Sequence, residues 1–154
     1  MIRSHVEALA AFLSAAGARV YDTEAGHRVD GSTEAPTFPY VILTVASPVR
    51  DTDRMVQARE RHELDVTIGY HGLTPASARW VAERVSSLAG ASLAVAGWTA
   101  RAESVFTTPV RVERDNPERP VFSGVDGFTL TPHPARPLRA VPPPPSTPGG
   151  VMAL

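Results

Sequence analysis

Apolar residues recur at three-and-four spacing near the start of the chain. Val6, Leu9, Ala10, Leu13 and Ala16 fall on one stripe, which predicts an amphipathic helix over residues 2–16. Ser4 followed by Glu7 fits a capping box, which would start the regular helix at His5. Gly17 suits the left-handed position after the last turn. The stripe is narrow and rich in small residues, so close packing on a sheet is expected. A second stripe, Ala78, Val81, Val85 and Leu88, predicts another helix. Thr74 supplies its N-cap oxygen, Pro75 its first helical position, and Gly90 its end. Trp80 sits at the edge of this stripe and is expected to flank the core. Arg79 and Glu83 are expected to pair on the outer face, for ~0.2–0.5 kcal/mol.

Between and after the helices the period changes to two. Residues 19–22 predict a short strand, and 23–37 a polar loop punctuated by Gly26, Gly31 and Pro36. A loop of that length in a compact domain is usually disordered or binds something. Residues 39–46 predict a strand apolar on both faces, with Val41, Leu43 and Val45 one way and Tyr40 and Ile42 the other. Such a strand is covered on both sides or sits at a subunit contact. Residues 61–70 alternate cleanly: His62, Leu64, Val66, Ile68 and Tyr70 face the core, while Glu63, Asp65, Thr67 and His71 face solvent or a larger assembly. The segment 47–60 between these strands is too long for a tight turn and reads as a projecting arm. After the second helix, 98–106 predicts a strand, 107–120 a polar loop and 121–131 a last strand. Val121 and Val125 face one way there, Phe128 and Leu130 the other, so a bulge or kink is expected at Gly124 and Gly127.

These elements predict an α+β domain, with a mostly antiparallel sheet and two helices packed on one face. The expected order is α-β-β-β-α-β-β, with a long β-arm or hairpin excursion and an extended C-terminal tail. The domain is expected over residues 1–133 and the tail over 134–154. The tail holds the run Pro142 to Pro145, which favours extended polyproline-like chain.

Composition then narrows the chemistry. The 154 residues fit one domain with a real core, and the formal net charge is −1. A near-neutral chain is poorly suited to gripping nucleic acid through phosphates. All 15 basic residues are arginine, which points to a high-GC genome. There is no cysteine, which excludes thiol catalysis and thiolate metal sites. A signal peptide is not expected, and no apolar window approaches a membrane-spanning ~20 residues. His5, His27, His62, His71 and His133 are scattered without metal-ligand spacing. Asp65 and His71 share a strand face but lie ~20 Å apart at ~3.3 Å per residue. There is no phosphate-binding glycine motif and no serine-hydrolase elbow. The G-x-x-G from Gly124 to Gly127 lies in a strand pattern, unlike the helix-flanked RNA-binding loop. No catalytic residue, metal or cofactor is expected.

The order of several segments carries a family resemblance. Val20–Asp22 follows the first helix, and Phe-Pro-Tyr-Val-Ile-Leu (38–43) opens the next strand. His-Glu-Leu-Asp-Val-Thr-Ile-Gly-Tyr (62–70) returns from the charged excursion. Ala-x-Trp-Val-Ala-Glu-Arg-Val (78–85) forms the second helix, and Pro-Val-Arg-Val-Glu-Arg-Asp (109–115) precedes the last strand. Over residues 2–135 this resembles the tail terminator proteins of long-tailed bacteriophages, especially those of high-GC actinobacterial hosts. The resemblance implies a non-enzymatic virion protein, assembled in the host cytoplasm and placed at the head–tail junction. Six copies would form a ring that caps the tail tube and ends its polymerisation. One face would meet the tube protein and the other a head-connector or stopper protein, with genomic DNA passing through the lumen unbound and no membrane involved. Candidate interface residues are Tyr40 and Ile42 on the doubly apolar strand, and Arg50, Asp51, Asp53, Arg54, Met55 and Arg59 on the excursion. Arg111, Arg114 and Asp115 join them from the later loop. The alternatives are another head–tail connector, a tail tube ring protein, or a small α+β hydrolase or ligand-binding module.

Overall fold

The computed structural model describes residues 2–46, 63–95, 97–114 and 118–134. The excursion 47–60, His62 and residues 135–154 of the expected tail lie outside the described residues. The elements run α1 (Ile2–Ala15), β1 (Arg19–Asp22), β2 (Tyr40–Ala46), β3 (Leu64–Gly72), α2 (Pro75–Ser86), β4 (Ser92–Val95), β5 (Trp98–Thr107), β6 (Arg111–Glu113) and β7 (Val121–Pro134). The α+β order is as expected, with β4 and β6 as two additional short strands.

The strands form one sheet in the order β1-β2-β3-β7-β5-β4, with β6 pairing β7 where β5 leaves off. All pairs are antiparallel except β1 with β2. Both helices cover the same face. α2 packs on β3 and β7 at the centre, while α1 touches β4 at one end of the sheet and β1 and β2 at the other. The sheet therefore curls around α1. Strand alternation supplies its lining: Val41, Leu43, Leu64, Val66, Ile68, Phe128 and Leu130 are buried against Leu9, Leu13, Val81 and Val85. Each fully buried aliphatic side chain contributes ~1.5–3 kcal/mol through removal from water.

α1 begins at Ile2, so Ser4 is inside it and does not cap it. Glu7 instead meets Arg3 one turn back at 3.0 Å. The far end is as expected. Gly17 has φ +94°, its N–H donates to Ser14 O, and the Ala18 N–H donates to Leu13 O. α2 starts at the expected cap. Thr74 Oγ1 accepts from the Ser77 N–H at 3.1 Å, and Ser77 Oγ accepts from the Thr74 N–H at 3.2 Å. Arg79 does not pair with Glu83; the Glu83 carboxylate lies 3.8 Å from Arg84, which also stacks 4.4 Å above the Trp80 ring. Trp80 flanks the core at 38% exposure, against Gly17 of the α1 cap.

The last strand corrects a second expectation. β7 pairs β3 without interruption from Phe122 to Leu130, so it carries no kink at its glycines. The irregularity is in β5, between Ser104 and Phe106. Gly124 and Gly127 lack side chains because two aromatic rings occupy the space. The Tyr70 ring lies over Gly124 on the helix-covered face, and the Phe106 ring over Gly127 on the opposite face. From Phe122 to Leu130 the even-numbered β7 residues thus share the core face, Asp126 included.

Candidate functional site

The face of the sheet away from the helices carries a cross-strand row. Tyr40 pairs with His71, His71 with Ser123, and Ser123 with Arg111. Tyr40 stacks on His71 with ring centroids 5.0 Å apart, meets Phe38 at 4.9 Å, and lies edge-on to Tyr21 at 5.4 Å. Tyr40 is buried by these neighbours, while Ile42 is half-buried. The second apolar face of β2 is thus covered partly by the chain itself.

That cover comes from Tyr21, Phe38 and His71, and Tyr21 is in turn held by residues 23–37, an ordered loop built around Glu34. Its carboxylate accepts from the Tyr21 hydroxyl at 2.9 Å, from Arg19 at 2.9 Å and from Arg28 at 3.5 Å. The Tyr21 oxygen in turn accepts the Thr37 N–H at 3.2 Å. The Tyr21 hydrogen bond, followed by that from Arg19, holds the Glu34 carboxyl below its ordinary pKa. Spacing alone could not show that these residues meet.

Ser123, His71 and Glu113 are a serine, a histidine and a carboxylate on adjacent strands, yet they do not make a hydrolytic triad. Ser123 Oγ donates to Glu113, and no hydrogen bond joins it to His71. A nucleophile needs its base within hydrogen-bond reach. Burial lowers the His71 pKa, against a raising effect of Glu113, so the ring stays neutral at ordinary pH.

Asp126 is a buried carboxyl at 2% exposure on the core face, and its Oδ1 has no hydrogen-bond partner among the described residues. Burial raises its pKa, and the nearby polar groups of the Thr108 backbone and Tyr70 oppose that rise. The Tyr70 hydroxyl donates to Thr108 O at 2.9 Å. Thr108 Oγ1 accepts the Val125 N–H at 2.7 Å and donates to Val125 O at 2.9 Å. This cluster pins the junction between β5 and β6 to β7. Among the described residues no group of three or more His, Asp or Glu side chains is placed to hold a metal ion. An open groove of about 410 Å³ between α1 and the 23–37 loop is lined by Arg3, Glu7, Arg28 and Asp30, charges of both signs.

Exposed apolar surface gathers along β5 and β6. Val105 is 62% exposed, Phe106 47% and Val112 38%. β4 covers the outer edge of β5 only up to Arg101, and backbone bonds from residues 90 and 91 reach Ala102. Beyond Ala102 no strand pairs with that edge among the described residues. Arg111 and Arg114 of the candidate interface lie here, exposed, with Arg111 on β6. Residues 107–120, expected as a loop, thus contain a short strand, Arg111–Glu113. The only apolar residue of β6 points outward, so the strand leaves no period-two burial signal. Arg50, Asp51, Asp53, Arg54, Met55, Arg59 and Asp115 lie outside the described residues.

No family model matches the chain, and no curated protein matches it. Among solved structures, it is similar to a chain of the virion of a native gene transfer agent particle. The identity is 21%, over 80% of this chain and 86% of that chain, with a TM-score of 0.45.

Proposed function

We propose that this protein is a structural virion protein that works through its surfaces and without catalysis. Copies close into a hexameric ring at the head–tail junction, cap the tail tube, end its polymerisation and join it to the head connector. The observation that carries this reading is the one-sided build of the domain. Helices cover one face of the sheet, while the β5–β6 edge leaves Val105, Phe106 and Val112 in water. An open strand edge with exposed apolar side chains along it is the kind of surface that a neighbouring chain completes. The ordered segments from Val20–Asp22 to residues 109–115 support the tail-terminator reading in particular. In this reading Ile42 serves the ring contact together with whatever of Tyr40 remains accessible. Arg50, Asp51, Asp53, Arg54, Met55 and Arg59 serve an axial contact with Arg111, Arg114 and Asp115. In this reading the proline-rich residues 135–154 are a segment separate from the domain, whose last strand reaches Pro134.

Imaging of particles carrying a labelled copy of this chain tests the proposal. A ring at the head–tail joint is expected; a monomer absent from particles contradicts it. Charge reversal at Arg50 and Arg54 is expected to impair head–tail joining while leaving the domain folded.

A further inference from the structure

The open β5–β6 edge is self-complementary in charge. Glu103 pairs with Thr129 of β7, Thr107 with Asp126, and Arg111 with Ser123. Thr129 and Ser123 each lie three β7 residues from Asp126. Glu103 and Arg111 therefore stand ~10 Å either side of Thr107 at ~3.3 Å per residue, on the same face of the sheet. Phe106 lies between them on that face, over Gly127. Both charged side chains are exposed. Glu103 meets only the equally exposed Arg101, at 3.9 Å, and Arg111 has no ion pair among the described residues.

We propose that this edge pairs with the same edge of a second copy, antiparallel and centred on Thr107. A two-fold axis there brings Glu103 of each copy opposite Arg111 of the other. Both charges then gain a partner of opposite sign, and the backbone groups beyond Ala102 gain a ladder. Val105, at the β5 irregularity, faces Pro109 of the second copy, so the residue that lacks an N–H meets the irregular position of β5, in the gap between β5 and β6. Phe106 and Val105 lose their exposure in the contact. An edge that carried like charges at these two positions would repel itself. An isologous contact of this kind joins copies in pairs and cannot close a ring by itself. The pairing rests on the reading of this edge as a surface completed by neighbours and commits it to a two-fold contact, while the head-to-tail closure of the proposed ring falls to the Ile42 face of β2.

The test is the assembly state of the purified full chain by sedimentation equilibrium, with Glu103→Arg and Arg111→Glu variants. Each single variant sets like charges against each other twice per contact and is expected to lose pairing at least tenfold. Circular dichroism should remain that of the parent, because both side chains are exposed. An equimolar mixture of the two variants is expected to recover pairing as mixed dimers, and the doubly substituted E103R/R111E chain to recover it alone. Assembly unchanged by either single substitution, or singles that do not recover on mixing, overturns the two-fold edge. A ring seen on particles with unpaired free subunits would overturn this inference and leave the proposed function standing.

Discussion

The Tyr70 ring occupies the space where a Gly124 side chain would be: a Cβ built on Gly124 lies 2.6 Å from Tyr70 Cε2. The two residues pair across β3 and β7, and the ring sits there because the Tyr70 hydroxyl reaches Thr108 O. Gly124→Ala forces this buried ring off its hydrogen bond, and overpacking of this kind costs ~1–3 kcal/mol. Gly127→Ala meets Phe106 equally closely, with Cζ 2.7 Å away, but Phe106 is 47% exposed and can swing into solvent. Thermal unfolding of the two variants should therefore rank Gly124→Ala well below Gly127→Ala. Equal losses would mean that Phe106 is held as firmly as Tyr70.

Asp126 should set a falling stability with rising pH. Its folded-state pKa is raised, chiefly by burial. Such an acid favours the folded state fully below its unfolded pKa, and the contribution is lost as pH rises through the folded pKa. Asp126→Asn removes the ionisation, so its stability profile should be flatter and lie above that of the parent at neutral pH. Denaturant unfolding across a pH series measures this. Parallel profiles would show that Asp126 does not contribute the slope.

Glu34 acts in the opposite sense. Its folded-state pKa is lowered by Tyr21 and Arg19, so its contribution is present above the unfolded pKa and lost as pH falls through the folded one. Amide protection of the 23–37 loop should drop with acidification in the parent and be pH-independent, and lower throughout, in Glu34→Gln. Tyr21→Phe removes the acceptor for the Thr37 N–H and should cost ~1 kcal/mol. Hydrogen exchange resolved by residue checks both; protection unchanged in Glu34→Gln would remove that carboxylate as the organiser of the loop.

The helix starts give a sharper contrast. Thr74→Ala deletes the oxygen that accepts the Ser77 N–H and should cost ~1 kcal/mol. Ser4→Ala should fall within ~0.5 kcal/mol of the parent, because Ser4 is an exposed residue inside α1. A cap-sized loss at Ser4 would restore the capping box that its sequence pattern suggests.

The helical stripes and the alternation of β3 were legible because burial leaves a period. Val6, Leu9 and Leu13, then Leu64, Val66 and Ile68, are buried as their spacing predicts. Thr74-Pro75 and Gly17 were legible because capping is local chemistry. β6 left no such trace, since its pairing uses backbone groups and its only apolar side chain faces water.

What pattern and local chemistry settle is therefore the count of major elements, their order and the side each one buries. The meeting of Glu34 with Tyr21 and Arg19, the rings over Gly124 and Gly127, and the burial of Asp126 depend on which strands become neighbours. Glu103 and Arg111 stand four residues either side of Thr107 in the sequence, but that they share one face, each three β7 positions from it, depends on those neighbours too. Those relations exist only once β7 lies between β3 and β5. A linear sequence specifies each side chain's periodicity, but distances between separate strands follow from the register that packing selects.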